Sequence, residues 1–396
     1  MAGLISVEDA LAGLFALTRA PMTERVALRH AAGRVLAEDV VATRDQPPFA
    51  ASAMDGYAIR EADHKVGTRL RIVGEAAAGA AFSGAVAPGT AARIFTGAPV
   101  PAGAERVVLQ EDVTRIGDTI RLGDRLEAGA NIRAAGQDFR IGDRLAAPRR
   151  LRPADLALVA AMNLPEVTVA RRPVVALMAT GGELVMPGET PGPDQIIASN
   201  SFALAAMAEG EGAEVRMLPI ARDNPASLRA AFDLAAGADL IVTIGGASVG
   251  DHDLVAPVAA ELGMDQSFYK VAMRPGKPLM AGRLGTAAMV GLPGNPVSAL
   301  VCGHVFLVPM LRAMLGLGAA PAPRRTAPLA EDIPANGPRE HYMRATIEGG
   351  RIRLLPRQDS ALLTILQRAD ALVVRPVGDP ARTAGETVEY LPLRTA

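Results

Sequence analysis

The chain has no tryptophan, one cysteine and, among its 41 basic residues, only three lysines. With Cys302 alone, no intrachain disulfide framework is possible, and a reducing, cytoplasmic setting is expected. An excess of either charge is also missing. Lys+Arg 41 against Asp+Glu 42 leaves a net charge of −1, so no basic field draws the chain to nucleic acid or to an anionic membrane. The most apolar stretch, residues 297–315, is interrupted by His304, Pro309 and Arg312 and reads as a buried helix rather than a membrane span. The first twenty residues lack a basic segment and carry Glu8 and Asp9, so no signal peptide is expected. Gly 40 and Pro 30 stay below the ~25–30% of low-complexity chains, so disorder is not the main state. Aromatic residues, at 3%, are scarce among abundant alanine and carry no functional information.

What is present reads as a multidomain α/β chain. At ~150 residues per domain, 396 residues make two or three, each able to bury its own core. Helical spacing runs from about Val7 to Val40, with Leu11, Leu14, Phe15 and Leu17 on one face. Short Val/Ile/Leu runs broken by Gly and Pro follow, suggesting a β-rich module. Residues 149–162 are helical again, with Pro153 in the first turn. From Pro173 to about Leu315, strands alternate with helices that begin at Ser199/Asn200 and Asn224-Pro225. This pattern implies a parallel, doubly wound sheet covered on both faces. The division expected is residues 1–40 with 140–170 as a discontinuous helical domain, 41–139 as a β-rich insert, 171–318 as the α/β domain and 319–396 as a C-terminal β domain.

Ligands of a doubly wound sheet bind beyond the carboxyl ends of its strands. Three such ends here are glycine-rich: Thr180-Gly181-Gly182-Glu183, the loop Gly245 to Asp253, and Leu292-Pro293-Gly294-Asn295-Pro296. Glycines let backbone N–H groups approach an anion. None of the loops carries the Gly-Lys-Ser/Thr of a P-loop or the GxGxxG of a dinucleotide fold. Ser248, Pro293 and Asn295 lie in these loops and are candidate ligand contacts. Glu183, Asp223, Asp251 and Asp253 fall on the same edge, where several carboxylates are costly together unless a cation neutralises them. Mg²⁺ fits, since it takes one or two carboxylates plus ligand phosphates. Two of the three lysines, Lys270 and Lys277, flank Arg274 around one Pro-Gly turn suited to a phosphate or small oxyanion. Cys302 and His304, two apart on a helix, point to different faces and make no zinc site.

The segments PFAASAMDGYA, IFTGAPVP, NIRAAGQD, ATGGEL, GGASVGDHD, MRPGKP and GLPGNPVSA occur in an order that resembles the MoeA family, the molybdopterin molybdotransferases, over essentially the whole chain. Eukaryotic gephyrin contains a similar module acting as a scaffold, and a tungstate-inserting relative is a further alternative. The resemblance implies a multidomain α/β fold: a molybdopterin-binding α/β domain, a discontinuous helical domain, a β-rich insert and a C-terminal β-barrel-like domain. The implied state is a homodimer, and the implied reaction is Mg²⁺-dependent insertion of molybdate into adenylylated molybdopterin with release of AMP. Contacts with an upstream adenylyltransferase and with downstream molybdoenzyme maturation proteins go with it. Carried over by motif, Asp55, Thr96, Arg133 and Asp138 belong to the insert's side of the cleft. Glu183, Asp223 and Asp253 hold Mg²⁺ and pyrophosphate, and Lys270, Arg274 and Lys277 hold the oxyanion and phosphates. Arg339 and Ser360 match positions facing the cleft across the dimer. The chain departs from the family's usual residues in having Gly182 for Asp, Arg274 for Lys and Gln137 for Glu.

Overall fold

Ser6 opens the first helix: its Oγ accepts the Asp9 amide at 2.9 Å, and helix α1 runs Val7–Leu17. Thr18 closes it, with its hydroxyl donating to the Phe15 carbonyl at 2.7 Å. The helical spacing expected out to Val40 is not realised beyond this point. Pro21 removes a donor and disfavours helix at the preceding residue, and the residues after it form strands at Thr23–Ala27 and Val35–Leu36. The computed structural model describes residues 4–246 and 254–394. They divide into two units, Met1–Glu24 with Ala170–Ala396, and Arg25–Val169.

In the first unit, α1 buries Val7, Ala10, Leu11, Leu14 and Leu17 in a core shared with Leu204, Val305 and Met310. The central sheet contains β1 (Val174–Ala179), β2 (Glu214–Met217), β3 (Leu240–Ile244), β4 (Asp265–Tyr269), β5 (Met280–Leu284) and β6 (Ala287–Leu292). Their spatial order is β2-β1-β3-β6-β5-β4. The sheet is covered on both faces. Val175 and Leu177 face the core holding α1, while Val174, Ala176 and Met178 face a second core with Leu228, Phe232 and Val258. β2, β1, β3 and β6 are parallel, as the alternation implied. β5 and β4 are antiparallel, which the sequence reading did not anticipate. The cause is local: only Gly285 and Thr286 separate β5 from β6, far too few for a parallel crossover, and Gly285 takes φ +57°.

Helix α3 (Asn200–Gly210) follows Ser199. Helix α4 (Pro225–Leu234) follows Asn224, whose Oδ1 accepts the Ser227 amide at 2.8 Å. Residues Pro296–Met314 form an α–π–α run of 19 residues and mean hydropathy 1.7, long and apolar enough to cross a membrane by length and composition alone. Val297, Val301, Phe306 and Met310 are buried in the α1 core, so the run packs as a core helix. The wide turn at Gly303–Leu307 ends two residues before Pro309, whose ring cannot continue the regular ladder. Beyond it, strands Arg325–Pro328, Glu340–Glu348, Arg351–Leu354, Ala371–Arg375 and Thr387–Pro392 build the C-terminal sheet. Met273–Arg274 adds to it in parallel with Glu340–Glu348, so the turn carrying Arg274 and Lys277 is stitched to the C-terminal sheet.

The second unit contains a six-stranded sheet of Arg106–Leu109, Gly56–Ile59, Thr90–Ile94, Arg69–Ala76, Thr119–Leu122 and Val113–Ile116, in that spatial order. Tyr57, Ile59 and Val108 pack on one face, Ala58, Ala92 and Val107 on the other. Burial of both faces explains why these strands read as continuous apolar runs. Val35–Leu36 and Arg149–Arg150 pair beside helix α2 (Pro153–Ala161) over a core of Leu36, Val40, Leu145, Leu151 and Val159. Chain segments far apart in sequence meet here, with more strand and less helix than expected.

His304 and His341, both in the first unit, are held neutral. Burial pushes each down to about 4 from 6.5, and for His341 the Arg274, Arg344, Arg375 and Arg339 guanidiniums push the same way. Between pH 6.5 and 4 the unfolded chain binds protons on these imidazoles that the folded chain does not. Stability therefore falls as pH falls, by up to about 1.4 kcal/mol per pH unit for each histidine. Denaturant midpoints are expected to drop between pH 7 and 5, with His304→Gln flattening part of the slope. A level profile across that window contradicts the assignment.

Candidate active site

The carboxyl ends of β1, β3 and β6 are tied to one another before any ligand arrives. The Thr180 amide donates to Ile244 O at 2.9 Å and the Gly245 amide to Leu292 O at 3.0 Å; the Gly181 amide reaches Ala221 O at 3.1 Å. Gly245 has φ +90°, and a Cβ there would stand 2.7 Å from Thr180 O, so only glycine permits this closeness. A cavity of about 740 Å³ opens on these ends, lined by Thr180, Gly181, Glu183, Asp223, Gly245, Gly246, Pro293, Gly294 and Asn295 among others. Asn200 Nδ2 donates to Gly294 O at 2.7 Å and fixes the third loop to the start of α3.

Two carboxylates face this cavity. Asp223 Oδ2 accepts the Gly182 amide at 2.7 Å, leaving its second oxygen to the cavity. Glu183 is exposed and lies against Gly181, where a Cβ would collide with its carboxylate. Arg222, which the sequence reading passed over, donates from Nη1 to Gly182 O and Leu184 O at 3.0 Å each and braces the loop bearing Glu183. Its only signal was adjacency to Asp223. No group of three or more His, Cys, Asp or Glu suited to a metal occurs among the described residues. Two carboxylates facing a roomy cavity nonetheless match the sparse protein ligation of Mg²⁺ with phosphates. Asp253 and Ser248 lie outside the described residues.

The basic turn flanks this cavity without entering it. Pro278 lines the cavity, while the Arg274 and Lys277 side chains are exposed. Lys270, at φ +77°, holds its ammonium 5.3 Å from the Tyr269 ring centroid. Cys302 is packed under this turn. A Cβ on Gly276, at φ +106°, would lie 2.5 Å from Cys302 Sγ, and burial pushes the thiol's pKa up. Gly276→Ala is expected to cost about 2–3 kcal/mol and displace the turn, read as a lower denaturant midpoint. An unchanged midpoint contradicts that packing. From the C-terminal sheet, Ser360 O accepts the Val297 amide at 2.9 Å and Ala361 lines the cavity. The loop of Ser360 thus stands at the edge of this cavity. The Arg339 carbonyl accepts Asn336 Nδ2 at 2.9 Å, and its guanidinium is not in the cavity wall.

The second unit holds its own cluster. Asp55 Oδ1 accepts both the amide and the hydroxyl of Thr96 at 2.7 Å, and these bonds hold its carboxyl below the usual range. Arg133 is exposed on the strand pairing Ile132 with Ser52 and Arg133 with Ala51. Asp138 is exposed, its amide bonded to Gln46 O at 2.9 Å. Thus Glu183, Asp223, Pro293 and Asn295 share one cavity, while Asp55, Thr96, Arg133 and Asp138 belong to the other unit.

Residues 5–163 match the MoeA N-terminal region (domain I and II), residues 176–313 a probable molybdopterin binding domain, and residues 326–393 the MoeA C-terminal region (domain IV). The chain is 36% identical over 393 residues to a molybdopterin molybdenumtransferase of Nostoc sp., covering 94% of this chain and 89% of that one. The chain belongs to the MoeA family. A Mycobacterium tuberculosis molybdopterin molybdenumtransferase is 38% identical over 335 residues, 82% of this chain and 83% of its own. The molybdopterin biosynthesis MoeA protein of Pyrococcus horikoshii superposes with a TM-score of 0.85 at 30% identity, covering 100% of both chains. The MoeA-family match also extends through the C-terminal sheet, which carries the Ser360 loop.

Proposed function

We propose that this protein is a molybdopterin molybdenumtransferase that inserts molybdate into adenylylated molybdopterin, hydrolysing the pyrophosphate and releasing AMP as the last step of molybdenum cofactor biosynthesis. The observation that carries the reading is the cavity in which Glu183 and Asp223 face glycine-rich backbone at the ends of β1, β3 and β6. Asp223 anchors the Gly182 amide, and Arg222 braces the adjoining carbonyls, so the loop meets its ligand already ordered. Glu183 and the free Asp223 oxygen, with Asp253, would hold Mg²⁺, which when bound screens phosphate charge and polarises the scissile pyrophosphate. Lys277 and Arg274 supply positive charge for molybdate at the adjoining turn. Asp55, oriented by Thr96, and Arg133 and Asp138 are candidate ligand contacts of the insert.

The working state is a cytoplasmic homodimer. A single buried thiol, Cys302, accords with a reducing compartment, and exposed Phe202 leaves apolar surface for a second copy to cover. Adenylylated molybdopterin is expected to bind at least tenfold more tightly with Mg²⁺ than with chelator, and Glu183→Gln with Asp223→Asn is expected to remove that difference. Equal affinity with and without Mg²⁺ for the unaltered protein overturns the metal assignment.

A further inference from the structure

Arg93 lies in the strand Thr90–Ile94 of the second unit, half-buried and held between two rings. Its guanidinium carbon stands 5.0 Å from the Tyr57 ring centroid and 4.7 Å from that of Phe95. The chain has only nine Phe and four Tyr, so this clamp is no by-product of an aromatic-rich core. Two ring faces attract the cation and restrict a side chain that would otherwise sample many rotamers. In the sheet, Arg93 is opposite Tyr57 on one side and opposite Glu75 on the other. Its bonds go to neither. Nη1 donates to Gly56 O at 3.0 Å, and Nη2 donates to Gln110 Oε1 at 2.6 Å.

These bonds converge on one turn. The Gln110 amide donates to Asp55 O at 3.2 Å, and Gly56 is the next residue. Arg93 therefore grips the Gly56 carbonyl directly and the Asp55 carbonyl through Gln110. From the end of the same strand, Thr96 gives Asp55 Oδ1 its amide and its hydroxyl at 2.7 Å each. Behind those two bonds, the Arg93 charge acts in the same direction and helps hold the Asp55 carboxyl low. A planar fork whose donors keep a fixed angle can set such a turn, where a single flexible ammonium cannot.

We propose that Arg93 is a positioning residue of the transferase: it sets the Asp55–Gly56 turn so that the Asp55 carboxylate meets an N–H or O–H donor of adenylylated molybdopterin. This rests on the transferase reading above. A carboxylate accepts hydrogen bonds and repels phosphate and molybdate oxygens, so its partner on the ligand is a donor group. Arg93 accordingly governs the KM for adenylylated molybdopterin and leaves the KM for molybdate alone.

The test follows AMP release by the full-length wild type, Arg93→Met, Asp55→Ala and the double variant. Arg93→Met is expected to raise the KM for adenylylated molybdopterin at least tenfold and to keep that for molybdate within threefold. In the Asp55→Ala background the same change is expected to alter KM less than twofold, since Arg93 acts through Asp55. Hydrogen exchange at the Thr96 amide, which reports the bond to Asp55 whether or not the protein turns over, should quicken at least tenfold in Arg93→Met. An unchanged KM for adenylylated molybdopterin overturns the proposal, as does an equal further loss when Asp55 is already alanine. If Arg93→Met fails to fold, Gln110→Ala decides, because Gln110 is exposed and its loss frees one arm of the fork. That variant is expected to raise the same KM and to quicken Thr96 exchange, each at least threefold; unchanged values overturn the proposal. A wild type that releases no AMP with molybdate, while Thr96 exchange still responds to Arg93→Met, counts against the transferase reading and leaves the turn-setting role standing.

Discussion

Glu183→Ala is expected to lower molybdate-dependent AMP release at least hundredfold, about 2.7 kcal/mol of transition-state stabilisation, while Tm stays within about 2 °C. The two halves of this expectation come from separate observations. Glu183 is exposed and lies over Gly181 with room for no Cβ beneath it, so its removal empties no core. The loop that carries it is held by others: Asp223 takes the Gly182 amide, and Arg222 takes two carbonyls. Asp223→Ala, by contrast, removes a loop anchor along with a cavity carboxylate, and should loosen the Gly182 amide to hydrogen exchange as well as slow turnover. If Glu183→Ala lost its cooperative thermal transition, the residue would be structural and its place in the site wrong.

The second large effect is on folding. Gly56→Ala is expected to destabilise the insert unit by more than about 3 kcal/mol, a fall of roughly 6–12 °C in its thermal transition. Gly56 pairs with Leu109 across the sheet, and a Cβ on it would collide with the Val108 carbonyl oxygen and lie 2.8 Å from the Val108 carbonyl carbon. The obstacle is backbone of a neighbouring strand buried on both faces, so it cannot swing aside as a side chain would. Because Asp55 precedes Gly56, the Asp55–Thr96 bonds should fail with it. Hydrogen exchange across Gly56–Ile59 would report both losses. Protection equal to wild type there would show that the sheet accommodates the methyl group.

Much of the α/β core was legible because its signals are local. Asn224-Pro225 and Ser199-Asn200 mark helix starts through capping chemistry, and apolar runs ending in glycine mark strand ends. The parallel order of β1, β3 and β6 follows from helices long enough to cross between strands. The antiparallel β5 was not legible as such, because Leu284-Gly285-Thr286-Ala287 looks like a loop until the partner strand is known. Helix α1 was overextended because apolar spacing persists past Pro21, whereas the chain turns extended at Thr18, whose amide and hydroxyl both donate to the Phe15 carbonyl.

At the site, acidic residues after strands were found by position, and Glu183 and Asp223 do meet. Arg222 was invisible: one of 38 arginines in a chain nearly without lysine carries no compositional signal, and its importance lies in what it touches. The turn around Arg274 shows the same limit. Its charges were evident, but the parallel pairing of Met273 with Glu340 that joins it to the C-terminal sheet depends on contacts between residues 67 positions apart.

The central claim is tested most directly by AMP release from adenylylated molybdopterin with Mg²⁺, measured with and without molybdate. The account predicts release that requires molybdate and is lost in Glu183→Ala. Tight binding of adenylylated molybdopterin with no molybdate-dependent AMP release would contradict it.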